Sequence, residues 1–311
     1  MKQFLLKIAG YGLVSFLILN GIAFLCLYFL GNSNFYKPQF VKNGVFEKEF
    51  DYVVLGSSTG LTTLDTKLMD SITGKKGLNI SMDDSALSSH YLMLRHFYAL
   101  NRKTKCLVLA ITPWDMAVTN PTLNVNDYRF LPYVNEEYVY EYYKSLEQTS
   151  FKVLTLSRYV PIIGMTYYNT ELFYPSLLAA LHPEKRNRFD DAGNYSYPNF
   201  GKPKKSENKI MELELKNPYY KKIKQLCIDH KIQLILYQSP IFKTSVVTVD
   251  NQYQKIINHS QLFQESIMFY DNLHVNDKGR KICSEKFADE LGKECYVNIR
   301  SNANKYNGYS K

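Results

Sequence analysis

Two short segments near opposite ends of the chain carry side chains suited to nucleophilic catalysis. In the first, Ser58 follows Gly56 and Ser57; in the second, Asp271 precedes His274 by three residues. If the second segment forms one turn, that spacing places the carboxylate and the imidazole on the same side. The carboxylate can then fix the tautomer of His274 and leave its other nitrogen free to act as a base. Each segment alone is also typical of ordinary structure, a helix cap in the first case and a solvated histidine in the second.

The elements around these segments alternate between strands and helices. Helices are predicted over residues 61–72 and 87–98, near 219–227, and after a cap at Asn276 or Asp277, and strands at 50–55, 77–81, 106–111, 232–237 and 266–270. This alternation predicts an α/β fold, a three-layer sandwich with a mostly parallel sheet and right-handed crossovers. The carboxyl ends of parallel strands open on one edge, where such folds hold their chemistry. We therefore expect Ser58, after the first strand, to meet Asp271 and His274, after the last.

The N-terminal residues predict a membrane anchor. Residues 8–30 contain no charged side chain, and Asn20 is the only strongly polar interruption. At a rise of about 1.5 Å per residue this run spans about 34 Å, enough to cross a hydrocarbon core. The alternative is a cleaved signal peptide, which has a shorter apolar core and a small-residue cleavage site, whereas this run ends in bulky residues. We expect one span, the amino end inside and the large domain on the extracytoplasmic side.

The chemistry-bearing segments resemble conserved blocks of the SGNH (GDSL-type) hydrolase superfamily. Residues 56–58 resemble its first block, with Ser58 as nucleophile, and residues 271–274 resemble its last. Residues 78–84 are similar to the second block, and residues 111–115 lie where the third block would be. In all, the resemblance covers about residues 50–115 and 205–295. It implies a flavodoxin-like SGNH fold with Ser58, Asp271 and His274 as catalytic residues. The resemblance also implies four positions for oxyanion or substrate binding: Asn79, Asp84, Trp114 and Asp115. Asp84 stands where the second block has glycine, and Trp114 stands where the third block has asparagine.

A single anchor followed by such a domain resembles membrane-anchored members that work on bacterial cell-surface polymers. These include the DltD-like proteins of teichoic acid D-alanylation and the alginate acetylation proteins. The resemblance implies a serine esterase or O-acyltransferase acting on a cell-surface polysaccharide or related polymer, beside a membrane-bound O-acyltransferase and without a cofactor. Ser58 would attack the ester, His274 would carry the proton and Asp271 would orient His274. The alternative is a catalytically inactive SGNH-like partner or binding protein of a polymer-acylation system.

The predicted organisation has four parts. Residues 1–31 form the transmembrane anchor, 32–49 a linker, 50–295 the SGNH-like domain and 296–311 a flexible tail. A Tyr-rich insertion at residues 116–205 interrupts the alternation and is placed where it could cover the site. Between Tyr128 and Tyr174 there are ten tyrosines, which suit either sugar faces or ordinary helix packing.

Composition excludes several classes of protein. A chain that is 45% hydrophobic and 22% charged is not disordered, and without internal repeats it is not a solenoid. The net charge of +9 favours anionic partners, but the anchor and the lack of a binding motif argue against nucleic acid. No ligand spacing predicts a metal site. We expect four of the five cysteines to be packing residues and Cys295 to be able to pair with one of them outside the cytoplasm.

Overall fold

The chain divides by its own contacts into two compact units. The computed structural model describes residues 1–249 and 255–295, so the predicted tail at 296–311 lies outside the described residues. The first unit comprises Met1–Phe46 and Thr122–Asn187, and the second comprises Glu47–Pro121 and the residues from Arg188 onward. The second unit contains the sheet and the candidate catalytic residues.

The described elements are as follows. The strands are β1 (Glu49–Leu55), β2 (Gly77–Asn79), β3 (Lys103–Ile111), β4 (Lys209–Leu213), β5 (Gln233–Gln238), β6 (Thr244–Thr248) and β7 (Ile256–Asn258). The helices are α1 (Lys2–Gly31), α2 (Lys37–Asn43), α3 (Ser58–Thr63), α4 (Thr66–Thr73), α5 (Leu87–Ala99), α6 (Pro113–Ala117), α7 (Glu137–Leu146), α8 (Val153–Leu156), α9 (Pro161–Tyr168), α10 (Thr170–Leu181), α11 (Pro218–Asp229) and α12 (Asp277–Glu294). Two 3-10 helices cover Asp127–Tyr133 and Ser266–Met268.

A parallel sheet forms the centre of the second unit. Its strand order is β2-β1-β3-β5-β7, and each neighbouring pair is parallel. β1 and β3 are apolar along most of their length, as strands covered on both faces must be. The expectation of an α/β fold with a mostly parallel sheet is therefore confirmed.

Helices cover both faces of this sheet. One face packs on α4 and α12 through a single apolar cluster that includes Tyr52, Val108 and Phe287. Residues that alternate with these along the strands, such as Val53 and Leu107, are fully buried as well. α5 and α11 pack against each other, and α11 also contacts β5. The result is three layers, with the carboxyl ends of β1, β3 and β5 aligned by their register.

Two predicted elements of the second unit were wrong. Residues 266–270 are not the last strand of the sheet, because Ser266–Met268 is a 3-10 helix and Phe269 forms only an isolated bridge to Val275. The strand at that edge of the sheet, beside β5, is β7, which was not predicted from the sequence. The helix predicted over 61–72 is two helices, because Asp65 caps α4 by accepting from the backbone N–H groups of Lys67 and Leu68.

The first unit contains more ordered chain than the sequence suggested. The predicted linker at 32–49 includes α2, in which Phe40 and Val41 are fully buried. Gln39 on the same helix donates its side-chain N–H to the carbonyl of Arg129 at 2.9 Å. The predicted insertion at 116–205 is divided, since residues 122–187 belong to this unit and residues 116–121 and 188–205 belong to the second. Several of its tyrosines are core residues: Tyr128, Tyr133, Tyr142 and Tyr143 are all buried.

The helix α1 is long and apolar enough to cross a membrane. It is the one such helix among the described residues, and its mean hydropathy reaches 2.4 over its most apolar 18-residue window. Most of its side chains are exposed, including Phe16, Leu19 and Phe24. A helix that buries few of its apolar side chains within the protein is typical of a membrane span rather than of a core helix.

A disulfide joins the last helix to the central strand. Cys106 on β3 pairs with Cys295, directly after α12, and their Cα atoms are 5.9 Å apart. Of the cysteines expected to be packing residues, Cys227 and Cys283 are buried and free. Cys106 is instead the disulfide partner of Cys295, a partner that could not be chosen from the sequence. The bridge spans 189 residues, so it restricts the unfolded chain over more than half its length.

We expect Cys295→Ser to lower the free energy of unfolding by about 2–4 kcal/mol, because the unfolded chain regains the freedom that the bridge removes. Thermal unfolding in detergent, with and without dithiothreitol, measures this. Reductant should lower the Tm of the wild type and leave that of Cys295→Ser unchanged. Alkylation of the denatured, non-reduced protein should modify three of its five cysteines. Modification of all five would contradict the bridge.

Candidate active site

Ser58 lies at the start of the helix that follows the first strand of the sheet. β1 ends at Leu55, Ser57 is the extended residue that precedes the helix, and Ser58 is the first residue of α3. The first backbone bond of the turn runs from Leu61 N–H to the carbonyl of Ser57 at 2.9 Å. The N–H groups of Ser58 to Gly60 precede this bond and have no partner within the helix. The Ser58 hydroxyl is thus held next to backbone donors.

Two glycines allow this turn to pack closely against β3. A Cβ on Gly56 would lie 2.8 Å from Ala110 Cβ and 2.9 Å from its carbonyl oxygen. A Cβ on Gly60 would lie 2.8 Å from Ser81 Oγ and 3.0 Å from Ala110 Cβ. All four separations are shorter than van der Waals contact, so the position of Ser58 depends on the absence of these side-chain atoms.

We expect Gly60→Ala to lower the free energy of unfolding by about 1–3 kcal/mol, because α3 must move away from β3 to admit the methyl group. Denaturant unfolding monitored by circular dichroism measures this. Ser81→Ala is the matched control: Ser81 Oγ is buried with no hydrogen-bond partner among the described residues, so its loss should cost little. Ser81→Ala combined with Gly60→Ala should recover part of the stability. A Gly60→Ala protein as stable as the wild type would contradict this close packing.

The segment from Asp271 to His274 is a turn built around one carboxylate. Asp271 Oδ1 accepts the backbone N–H groups of Leu273 and His274, each at 2.8 Å. Tyr270 donates its N–H to the carbonyl of His274 at 2.9 Å, which closes the turn. Asn276 then caps α12 by accepting from the next N–H groups of the chain. The spacing of three residues therefore acts as predicted, because the same carboxylate orders the backbone and reaches the ring.

The structure brings Ser58, His274 and Asp271 together. Ser58 Oγ is 2.8 Å from His274 Nε2, and His274 Nδ1 is 2.9 Å from Asp271 Oδ2. Because an ionised carboxylate only accepts hydrogen bonds, we assign the ring proton to Nδ1. Nε2 then accepts the hydroxyl proton of Ser58. This is the arrangement of a nucleophile, a base and a residue that orients the base.

Asp271 is held in its charged form. Its partial burial opposes ionisation, but the hydrogen bonds from the ring and backbone of His274 and from Leu273 outweigh it, and the pKa of Asp271 falls below its usual value. The carboxylate is therefore available at neutral pH to orient the ring and to stabilise an imidazolium. Only 13% of the His274 side chain is exposed, against 45% for Asp271.

The four predicted oxyanion or substrate positions have varied surroundings. The Asn79 side-chain amide donates to the carbonyl of Gly60 at 3.0 Å, and its side-chain oxygen accepts from Ser81 N–H at 3.0 Å. These bonds attach the end of β2 to α3. Asp84 has a φ of 47°, in the left-handed region that favours the glycine found there in the resembling block.

The remaining two of those positions begin helix α6, after β3. Thr112 caps this helix: its hydroxyl donates to Asp115 Oδ2 at 2.8 Å and accepts from Asp115 N–H at 3.4 Å. Burial raises the pKa of Asp115. Trp114, between them, is 41% exposed. Asp115 thus stabilises the helix start, and Trp114 presents an aromatic surface to solvent.

Two aromatic residues beside His274 were not found from the sequence. The ring of Tyr197 lies 5.0 Å from that of His274 and stacks on Tyr270 at 4.3 Å. Burial and the nearby charge of Asp271 raise the pKa of Tyr197 to about 12, so it stays neutral. Its carbonyl accepts Asp277 N–H at 2.9 Å, which fixes the segment to α12. The only signal in the sequence for Tyr197 was its place in the predicted Tyr-rich insertion at residues 116–205.

No family model matches this chain, and no curated protein matches its sequence. Within the described residues no group of three or more His, Cys, Asp or Glu side chains is arranged to hold a metal ion. The chemical interpretation of the site therefore depends on its geometry and on the residue types at residues 56–58 and 271–274.

Proposed function

We propose that this protein is a membrane-anchored serine esterase or O-acyltransferase that acts on a cell-surface polysaccharide or related polymer. The observation that carries the proposal is the chain of contacts from Ser58 Oγ to His274 Nε2, 2.8 Å, and from His274 Nδ1 to Asp271, 2.9 Å. Ser58 and His274, 216 positions apart in the chain, meet at hydrogen-bond distance. A hydroxyl, an imidazole and a carboxylate in this order are the nucleophile, base and orienting group of a serine hydrolase. The proposal includes membership of the SGNH superfamily.

The proposed reaction has two half-steps. Ser58 Oγ attacks the acyl carbonyl carbon while its proton passes to His274 Nε2, and the ester C–O bond breaks as the leaving alcohol takes that proton. The acyl group is then an ester of Ser58. In the second half-step a polymer hydroxyl or water gives its proton to His274 and attacks the acyl carbon, and Ser58 Oγ leaves with the proton. Asp271 holds the ring throughout and stabilises its charged form.

The start of α3 supplies the donors that the developing oxyanion needs. The backbone N–H groups of Ser58 to Gly60 precede the first bond within the helix, so they can donate without breaking one. Such donors next to a nucleophile are a large part of catalysis in acyl transfer. In this proposal the oxyanion is bound by backbone N–H groups and not by Asn79. The Asn79 side chain already bonds to Gly60 and Ser81.

Aromatic side chains and net charge support a glycan as the substrate. Tyr197 and Tyr270 stack beside His274, and Phe200, 6.5 Å from the Tyr270 ring, is 79% exposed. Flat rings with polar tips suit the apolar faces of sugars. A net charge of +9 attracts the anionic polymers found at cell surfaces.

The helix α1 and the disulfide support a location at the cell envelope. α1 would cross the membrane once and place the second unit on the extracytoplasmic side. The Cys106–Cys295 bridge supports that side, because disulfides persist in oxidising compartments and are rare in the cytosol. There the site could receive acyl groups from a membrane-bound O-acyltransferase, the proposed partner.

A complementation experiment tests this function. Cells that lack the protein are supplied with the wild type or with Ser58→Ala, and ester-linked acyl groups on their envelope polymers are released by mild alkali and measured. We expect the wild type to change the acyl content and Ser58→Ala to leave it at the level of the deletion strain. Full complementation by Ser58→Ala would instead favour the inactive SGNH-like partner protein, and no change with either would contradict a function in polymer acylation.

A further inference from the structure

A second apolar surface lies beside α1 in the first unit. It belongs to α9 and α10, and residues 159–181 contain a single charged side chain, Glu171. On α10 the residues Phe173, Leu177 and Leu181 are 52%, 55% and 69% exposed. They lie four residues apart and so share one face. A water-facing helix would carry charged side chains on that face.

The depth of this surface along α1 can be read from contacts within the unit. Ile162, at the start of α9, donates its N–H to Asn20 Oδ1 in the middle of α1 at 3.3 Å. Asn20 lies eleven residues before Gly31, so this contact is about 16 Å from the end of α1. At the other end, Asn34 N–H donates to the carbonyl of Pro183, just after α10, at 2.7 Å. Phe173, near the start of α10, lines one crevice with Ile22 of α1. α10 therefore runs beside α1 in the same direction, from the level of Ile22 to beyond Gly31.

An apolar crevice between these helices lies at the same depth. Its volume is about 280 Å³, and it is lined from α1 by residues such as Leu19 and Ile22 and from the other side by Met165 and Phe173. A larger cavity of about 550 Å³ extends along α1 from Asn20 to Asn32, and Phe24, Tyr133, Lys42 and Arg158 are among the residues that line it. Aromatic and basic side chains are typical of the membrane–water interface. Among the described residues, the crevice is lined by no charged side chain, whereas Lys42 and Arg158 line the cavity that reaches the end of α1.

The break between α9 and α10 keeps its backbone hydrogen bonds, as burial in lipid requires. Asn169, between α9 and α10, donates its N–H to Met165 and accepts from Leu172 and Phe173, so the break between the helices leaves its backbone bonded. Glu171 accepts the hydroxyl of Tyr128 at 2.9 Å. Non-helical backbone is tolerated at membrane depth only when its hydrogen bonds are made within the protein.

We propose that α9 and α10 form a re-entrant element that lies in the acyl-chain region of one leaflet, the leaflet that surrounds the C-terminal half of α1. The occupant of the face formed by Phe173, Leu177 and Leu181 is lipid. The argument is continuity: this face adjoins the exposed apolar surface of α1, at the depth of residues that a spanning helix places in hydrocarbon. The inference depends on α1 crossing the membrane and not on the proposed catalysis, so either can fail alone.

Tryptophan quenching in lipid tests the occupant, because the chain has one tryptophan. In a Trp114→Phe background, whose folding is checked by cooperative thermal unfolding, single tryptophans are introduced by Phe173→Trp, Leu177→Trp and Leu181→Trp. Phe24→Trp, at an exposed position of α1, is the lipid control. Ile228→Trp on α11, 59% exposed, is the water control. Each protein is reconstituted in phosphatidylcholine vesicles with brominated acyl chains, and separately exposed to acrylamide.

We expect the three α10 tryptophans to be quenched by brominated lipid as strongly as Phe24→Trp and to be shielded from acrylamide, with the opposite result for Ile228→Trp. Phe173 and Leu181 are about 12 Å apart along the helix, so bromines near the chain end should quench Phe173→Trp more and bromines near the headgroup Leu181→Trp more. Quenching by acrylamide alone would overturn the proposal. So would protection from both quenchers, which indicates a protein partner on this face, or the absence of lipid quenching at Phe24→Trp. Hydrolysis of a soluble ester by the wild type in unbrominated vesicles reports separately on the proposed function, because Trp114 is one of the predicted substrate positions.

Discussion

Replacing Ser58 with alanine should reduce ester turnover by about 10⁴-fold or more, because the bond-forming oxygen is lost and the surrounding groups cannot replace it. The wild-type contact of 2.8 Å between Ser58 Oγ and His274 Nε2 is the only one in the described structure that joins a hydroxyl to this ring. Initial rates with p-nitrophenyl acetate, on protein purified in detergent, measure the effect. Residual hydrolysis should resemble that of the detergent blank.

Ser57→Ala is the matched control, because it removes the same atom one residue earlier. Ser57 Oγ contacts Thr59 Oγ1 at 3.3 Å and makes no cap bond to α3, so its loss leaves the relay intact. We expect its rate to remain within about tenfold of the wild type, since surface hydroxyls away from a network usually matter little. Equal activities for Ser58→Ala and the wild type would contradict the assignment of the nucleophile.

Asp271→Asn should lower kcat by about 10⁴-fold while leaving the protein folded. The amide can still accept the backbone N–H groups of Leu273 and His274 with its oxygen, so the turn should persist. Its nitrogen donates, however, and a donor facing His274 Nδ1 favours the tautomer with the proton on Nε2. That tautomer cannot accept the proton of Ser58. Steady-state kinetics together with the Tm separate this effect from unfolding.

Asp277→Asn is the control for charge at this end of α12. It lies in the first turn of the helix and accepts the hydroxyl of Ser196 at 2.9 Å, so the substitution removes one negative charge near the site without touching the relay. We expect kcat to change little. A loss equal to that of Asp271→Asn would attribute the effect to the local electrostatic field and not to the orientation of His274.

Local signals in the sequence were sufficient to predict that Ser58, His274 and Asp271 meet. The apolar strand before Gly56 places Ser58 at the edge of the parallel sheet. The other segment follows a 3-10 helix and not a strand, so the predicted reason for its position was wrong, and the cap Asn276 of α12 marks it instead. The spacing of Asp271 and His274 needs only a single turn. These features depend on a few neighbouring residues, which is why the sequence alone could reveal them.

Other parts of the fold depend on contacts between distant residues. β7 has three residues and no alternation long enough to detect, and it forms only because β5 offers a free edge. The apolar residue Phe269, interpreted as part of a strand, is fully buried in the core instead, against Phe242 and Phe263. A short apolar run has the same composition in both cases, and only tertiary packing decides between them.

The direction of a side chain is equally hidden from the sequence. Asn79 was predicted at the oxyanion position because of the resemblance, but its side chain bonds to the backbone of Gly60 and Ser81. Tyr197 was missed because its neighbours are polar, and its place beside His274 depends on distant contacts, the bond from Asp277 N–H to its carbonyl and the stacking on Tyr270. Residue type predicts what a group can do, but its partners are set by the fold.

The most direct test of the central claim is the site of reaction with a fluorophosphonate, which phosphonylates an activated serine. The folded wild type is treated with the probe, digested and mapped by mass spectrometry, with His274→Gln as a second sample. Because His274 accepts the proton of Ser58, we predict one adduct per chain, on Ser58, and a much slower reaction in His274→Gln. An unmodified Ser58 in the wild type, or an adduct at another residue only, would contradict the claim that Ser58 is the nucleophile.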